Sequence, residues 1–232
     1  MIDLSNRMKH NYERRQRFCL TRRMPVIIRV DGKAFHTVTQ DMDKPFDEHF
    51  IATMRNAAAY VADEMQGCKL VFVQSDEASF LLTDYDTVTA DAWFDYNLCK
   101  IVSVSAALMT LYFNRGLGMH DLEVQGVFDS RAFNVPREEV ANYFLWRAKD
   151  WARNSLLMYS QSFFAHNRML NKSHADLHEM LHAIGKNWAT DLADYLKNGW
   201  WYVNREWRSD ILPNYASIGN IVNPCVADNN DD

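Results

Sequence analysis

The stretch "KLVFVQSDEASFLLT", Lys69–Thr83, restricts the fold of this chain more than any other. Two apolar runs of strand length, Lys69–Gln74 and Ala78–Thr83, are separated only by Ser75-Asp76-Glu77. Parallel strands need a crossover of a dozen or more residues, so a connection this short permits only an antiparallel pair. The segment reads as a β-hairpin with two acids at its tip.

The neighbouring segments fit around that hairpin. Pro25–Val30 is a short run rich in Val26, Ile27, Ile28 and Val30, and it predicts a strand that ends at Asp31-Gly32. Asp47–Gln66 predicts an amphipathic helix, with Phe50, Met54, Ala57, Ala58, Val61 and Met65 at helical spacing. Asp47 and Glu48 suit its start, and Gly67 its end. A second long helix is expected over Ala92–Asn114 and a short strand over Ala132–Val135. Pro136 then opens a third long helix reaching about His166. A shorter helix over Ala175–Ile184 and a last strand at "WWYV" complete the chain. The order strand, helix, hairpin, helix, strand predicts an α+β fold of ferredoxin-like or polymerase-palm type. Its sheet is antiparallel, its long helices pack on one side, and a helical C-terminal extension follows.

With 232 residues, 48% of them hydrophobic, the chain can bury one sizeable core. No linker-like stretch or repeat divides it, so residues 1–232 are read as a single catalytic domain. No apolar run is long enough to span a bilayer, and the N-terminus lacks the apolar core of a secretory signal. Cys19, Cys68, Cys99 and Cys225 form no CxxC pair, which argues against a zinc ribbon and for a reduced, cytoplasmic protein. The net charge of -5 excludes a uniformly basic nucleic-acid binder. Yet Arg7, Lys9, Arg14, Arg15, Arg17, Arg22 and Arg23 crowd the N-terminus, where a helix over about residues 6–20 is expected with Asn6 as its cap. That segment is either a phosphate-binding surface or a solvated helix face. The acidic end, about residues 226–232, is expected to be disordered.

Asp31 closes the first strand, and Asp76 and Glu77 sit at the hairpin tip. In a palm-like sheet these places are neighbours. Carboxylates meeting there would repel, and a cation would relieve the repulsion. Mg²⁺ takes one or two carboxylates and completes its shell with water and substrate phosphates. Gly32 lets the backbone approach a metal or triphosphate closely. Asp-Gly and Ser-Asp-Glu are also ordinary turn compositions. It is their pairing at adjacent strand tips that favours the metal.

Lys100 and Ser103 share a helix face. They read as a triphosphate clasp, or as a snorkelling lysine with a solvent-facing serine. Lys44, before Pro45, is a phosphate contact or a solvated loop residue. His174, His178 and His182 recur every four residues, but no further ligand accompanies them, which favours an exposed helix face over a zinc site. Tyr143, Phe144, Trp146 and Trp151 cluster on the third helix, where they could stack on bases, although such residues more often form core.

Six motifs occur in order: "RVDGKAFH", "KPFDE", "SDEASF", "KIVS", "FDSR" and "YFLWRAKDWARNS". Together they resemble the tRNA-His guanylyltransferase family and its relatives, the guanylyltransferase-like 3′–5′ polymerases, over about Arg7–Val203. The resemblance implies a palm-like catalytic fold, two Mg²⁺ ions, ATP and GTP or other NTPs as substrates, a tRNA partner and a homotetramer. It implies Asp31 and Asp76 as metal ligands with the Gly32 carbonyl, and Glu77 as the adjacent catalytic acid. Lys33, Ala34, Phe35, His36 and Ser75 join Asp31, Gly32 and Asp76 in the implied nucleotide site, with Lys44, Lys100 and Ser103 along the phosphates. Arg14, Arg15, Arg131, Arg147 and Asn154 are the candidate RNA contacts.

Two departures bear on substrate. Members devoted to tRNA-His carry a histidine-led "HINN" where this chain has Ala152-Arg153-Asn154-Ser155. Asn97 stands where many eukaryotic members have a phosphate-binding arginine. "KPFDE" and the later "GKNW" are closer to the bacterial or phage-type branch, associated with template-dependent repair of 5′-truncated tRNAs. The expected function is therefore 3′–5′ nucleotide addition to a tRNA 5′ end through a 5′-adenylylated intermediate. The alternatives are addition of a single G to tRNA-His and, more remotely, a palm-fold nucleotide cyclase. A non-catalytic RNA-binding relative is disfavoured by the retained Asp31, Asp76 and Glu77.

Overall fold

The computed structural model describes residues 3–118 and 125–226. The expected disordered tail beyond Val226 lies outside the described residues.

Strand β1 (Val26–Gly32) is the centre of the architecture. It pairs antiparallel with β3 (Glu77–Leu82) on one side and with β4 (Phe128–Asn134) on the other. Strand β2 (Cys68–Gln74) forms the predicted hairpin with β3, and β5 (Trp200–Val203) and β6 (Glu206–Arg208) extend the sheet. The order is β4-β1-β3-β2-β5-β6, with every neighbouring pair antiparallel. Its first four strands form the split βαβ arrangement that the element order predicts.

Helices cover both faces of this sheet, not one as predicted. Val26, Ile28 and Val30 pack toward α3 (Glu48–Glu64) and α4 (Leu98–Gly116). Ile27 faces the other way, with Leu70, Phe72 and Leu81, into α5 (Arg137–Gln161) and α10 (Tyr215–Val226). The run Val26-Ile27-Ile28 lacks alternation because neither face meets water. Each such side chain contributes about 1.5–3 kcal/mol on burial.

Helix α3 forms as its pattern predicts. Asp47 caps it, accepting a hydrogen bond from Phe50 N at 2.7 Å. Gly67 takes φ +80° in the turn into β2, where a Cβ would lie 2.2 Å from the Thr83 carbonyl oxygen.

Other boundaries differ. The N-terminal helix α1 covers only Leu4–Asn11, so Asn6 lies inside it, and a 3₁₀ turn over Glu13–Gln16 follows. The second long helix starts at Leu98, because Phe94, Asp95 and Tyr96 all take positive φ near 53°. Asn97 caps it through a 3.1 Å bond from Lys100 N, so this residue is a helix cap. Strand β4 begins four residues before the predicted strand, because Phe128-Asp129-Ser130-Arg131 pairs with β1. Helix α5 stops at Gln161. After it come four shorter helices: α6 (His166–Met169), α7 (His174–His182), α8 (Trp188–Asp191) and α9 (Asp194–Asn198). The short α2, Phe35–Val38, follows β1. Strand β6 has no counterpart in the sequence reading, and helix α10 falls in the expected helical C-terminal extension at residues where no particular helix is predicted. Among the described residues, no helix is long and apolar enough to cross a membrane.

Candidate active site

Asp31 lies in register with Glu77 of β3 and Asp129 of β4, at the end of the sheet where the hairpin turns. Beside it, Gly32 N donates to the Asp76 carbonyl oxygen at 3.0 Å, which fastens the hairpin tip onto β1. The approach is tight. A Cβ on Gly32 would come within 2.7 Å of Asp76 Oδ2 and 2.3 Å of the Phe35 ring. Asp31 and Asp76 are thus brought together across a position that only glycine fills.

Burial pushes the Asp76 carboxyl up to about 6, and the nearby charges of Asp31 and Glu77 push in the same direction, against hydrogen bonds from its own backbone N–H and from Ser75. The Asp31 side chain is about one-third exposed and has Arg131 Nη2 at 3.8 Å. Arg131 also holds Asp129 at 3.1 Å, so the expected RNA contact stands at the rim of the carboxylate pair. This donor set is hard oxygen, and among the described residues no group of three or more His, Cys, Asp or Glu side chains converges. Two oxygen-donor carboxylates whose burial and mutual repulsion disfavour their charge fit Mg²⁺, which would relieve both.

Glu77 does not join that pair. It is the first residue of β3 and turns toward α5, where it is buried. Arg147 grips it from both sides, Nε to Oε1 at 2.7 Å and Nη2 to Oε2 at 2.5 Å. Gln74 and Ser79 donate to the same carboxylate. Arg147 is only 8% exposed, also lies 3.4 Å from Asp150, and rests on the Trp146 ring at 4.7 Å. The catalytic acid and the RNA contact expected from the resemblance are therefore each other's partners inside the molecule. Their positions are 70 residues apart, and no local sequence signal links them.

The segment after Asp31 divides by residue. Ala34 takes a left-handed conformation, φ 54° and ψ 39°, which turns the chain into α2. Lys33, Ala34 and His36 are exposed. Phe35 is not: its ring packs on Phe50, Phe113 and Phe128 at 4.9–6.1 Å, so any contact it makes with a nucleotide is through its backbone. The N–H groups of Gly32 and Lys33 are engaged, the latter with Val127 O at 2.8 Å.

Lys44 and Ser75 are brought together. Both line a cavity of about 360 Å³ with Thr39, Met42, Asp47 and Gln161, immediately beside Asp76. The Lys44 ammonium donates to the Thr39 carbonyl. Lys100 and Ser103 stand elsewhere. The turns of α4 bonded to β4 and the residues before it start at Ser105, which donates to Ser130 Oγ at 2.7 Å, and continue to Thr110, whose Oγ1 accepts from Phe128 N, and Asn114, which binds Gly126. Ser103 is about 10 Å before Thr110 along the axis, and Lys100 about 15 Å. Lys100 instead shares a cavity of about 420 Å³ with Lys9, Arg14 and Arg17. Arg14 and Arg15 are exposed, and Asn154 is half-buried on α5.

The histidine stripe lies along α7. His178 meets the Trp188 ring edge-on at 5.8 Å, and burial together with His182 and His174 lowers its pKa. Tyr143, Phe144 and Trp151 are core residues, whereas Trp146 is half-exposed and carries Arg29 over its ring at 5.8 Å. The Tyr143 hydroxyl lies 2.8 Å from Ser79 Oγ.

A family model described as tRNAHis guanylyltransferase matches residues 5–136, the span that holds both carboxylates, Gly32, Lys44, Ser75 and Arg131. The chain belongs to the tRNAHis guanylyltransferase family.

Similarity to solved members of the tRNAHis guanylyltransferase family extends beyond that span. A bacterial tRNAHis guanylyltransferase-like protein in complex with ATP superposes with a TM-score of 0.83 at 39% identity, over 90% of this chain and 92% of that one. A second, in complex with GTP, gives 0.82 at 37%, over 96% and 98%. A probable tRNA(His) guanylyltransferase of Dictyostelium discoideum is 31% identical over 147 residues, 60% of this chain and 55% of its own length. The Schizosaccharomyces pombe enzyme is 28% identical over 204 residues, 78% of this chain and 76% of its own length. The chain spans about half the length of the first of these curated relatives.

Proposed function

We propose that this chain extends the 5′ end of tRNA in the 3′–5′ direction, with a preference for templated repair of 5′-truncated tRNAs. The observation that carries the reading is the meeting of Asp31 and Asp76 across Gly32, next to the cavity of Lys44 and Ser75. It is supported by the ATP and GTP found with bacterial proteins of similar structure.

In the first reaction the tRNA 5′-monophosphate attacks the α-phosphate of ATP and pyrophosphate leaves. In the second the 3′-hydroxyl of an incoming NTP attacks the adenylylated end and AMP leaves. Both are phosphoryl transfers, in which the protein's work is positioning and charge stabilisation. Asp31 and Asp76, with the Gly32 carbonyl, are the residues to hold Mg²⁺, which when bound would lower the charge of the phosphates and make the attacking oxygen more acidic. Lys44 supplies a cation and Ser75 a hydroxyl at the mouth of the cavity beside Asp76. Arg131 offers a guanidinium to an RNA phosphate at the same rim.

Base selection falls to pairing with the opposite strand, since Ala152 replaces the histidine that leads the corresponding motif in tRNA-His-specific members. The names of the curated relatives favour the second reading, a single G added to tRNA-His. One assay separates the two: purified protein, 5′-monophosphorylated tRNAs truncated by one to three nucleotides, and each NTP in turn. Restoration of the templated nucleotide on several tRNAs supports repair. Addition confined to one extra G on tRNA-His overturns it.

A further inference from the structure

The helices after α5 carry a small core of their own, in which Leu156 and Tyr159 of α5 meet Phe164, Met169, Leu177 and Leu181. Two hydrogen bonds tie this body to opposite walls of the cavity that holds Lys44 and Ser75. One wall is Asp43–Phe50, the loop and first turn of α3, and the other is the last turn of α5, with Met158, Gln161 and Ser162. Tyr159, next to Met158, donates its hydroxyl to Asp191 Oδ2 at 2.7 Å. The same oxygen accepts from Asn187 N at 2.8 Å, which fixes the carboxylate. Four residues later, Tyr195 donates to Glu48 Oε1 at 2.6 Å, and Glu48 follows the cavity-lining cap Asp47. The Tyr195 ring is itself held, stacked on Trp200 at 5.2 Å, with Arg55 of α3 over that indole at 4.6 Å.

Helices α3 and α5 lie on opposite faces of the sheet, so the spacing of their ends around the cavity depends on the contacts that bridge them. Phe46, which meets Trp151 at 6.4 Å, is one bridge between the walls. The segment Asp191–Tyr195 is the other, and it works through charge-assisted hydrogen bonds with short, directional geometry.

We propose that Asp191 and Tyr195 are positioning residues that set the width of this cavity for a nucleoside triphosphate, a role that rests on reading the cavity as the nucleotide site. Neither residue lines the cavity. Each fixes one wall, Asp191 through Tyr159 and Tyr195 through Glu48. A wall displaced by a fraction of an ångström loosens a bound triphosphate without removing any group that touches it.

The test uses Tyr195→Phe and Tyr159→Phe in the full chain, with ATP and Mg²⁺ as the probe. Each substitution removes one hydroxyl and keeps the ring. The dissociation constant for ATP by calorimetry, and KM for ATP in the addition assay, are expected to rise about fivefold, with kcat within about twofold of the parent. Glu48→Gln keeps an oxygen acceptor but loses the charge, so its affinity for ATP is expected to fall between that of the parent and that of Glu48→Ala. Glu48→Ala should match Tyr195→Phe, and the double variant should be no worse than either. Hydrogen exchange of the parent with and without ATP separates the two levels. Protection of residues 39–50 and 158–162 supports the cavity as the nucleotide site, and its absence overturns that reading together with the brace. Protection combined with unchanged ATP affinity in both tyrosine variants overturns the brace alone.

Discussion

Gly32 shows how much one missing methyl decides. A Cβ there would collide with the Asp76 carboxylate at 2.7 Å and the Phe35 ring at 2.3 Å, so Gly32→Ala must push apart the groups that define the site. We expect it to lower nucleotide addition about 100-fold, read in the tRNA assay, while the far-ultraviolet circular dichroism stays that of the parent. Asp76→Asn is expected to abolish addition yet leave the melting temperature in metal-free buffer equal to or above the parent's. Burial and the charges of Asp31 and Glu77 already disfavour the Asp76 carboxylate, and an amide escapes both. Retained Mg²⁺-dependent addition would sink the two-carboxylate assignment. Glu77 and Arg147 belong to a different category of effect. Removing one member of a buried ion pair strands the other, so Arg147→Ala should destabilise the fold by about 3–5 kcal/mol in urea unfolding.

At the level of elements, the sequence was most informative where pattern and chemistry agreed. The hairpin was legible because three polar residues between two apolar runs leave one topology. Helix α3 was legible from its apolar spacing, its acidic start and Gly67. The Asp31–Asp76 meeting was legible as a consequence of that topology. What escaped were features set by contacts between distant residues. Phe94, Asp95 and Tyr96 have no glycine to announce their positive φ, so the start of α4 was placed too early. Phe128–Arg131 has no strand-like run of β-branched residues and becomes β4 because β1 offers it a free edge. The pairing of Glu77 with Arg147 spans 70 residues and two elements. One helix end gives a pH prediction. The Phe50 N–H holds the Asp47 carboxyl below its ordinary 3.8, so the cap is complete above that pH and is lost as the pH falls through the lower folded value. Asp47→Ala should cost about 1 kcal/mol in nucleotide-free protein at pH 7, and the difference should vanish in acid, measured by urea unfolding.

Across the whole molecule, charge and apolar surface are unevenly placed. Arg14 and Arg15 lie exposed on the N-terminal segment, apart from the carboxylates, so their expected work is RNA attraction and not chemistry. The double substitution Arg14→Ala/Arg15→Ala should reduce the slope of log affinity for tRNA against log salt by about 1–2 and leave single-turnover chemistry at saturating tRNA unchanged. Tyr60 on α3 is 59% exposed and Leu111 on α4 49%, apolar area that the homotetramer implied by the family resemblance would cover. Light scattering of the purified protein reports the subunit count.

The two-sided covering of the sheet has a further consequence, for how this chain tolerates change. In a half-exposed sheet, every second strand residue can drift toward polar types. Here Val26, Ile27 and Ile28 are all fully buried, as are Leu70, Val71 and Phe72. Variation among functional descendants of this sequence should therefore show no two-residue rhythm along β1 and β2. It should collect at the strand ends and in the helices' outer faces. The rim at Asp31 and Asp76 is the place where a residue held still by packing meets one held still by chemistry.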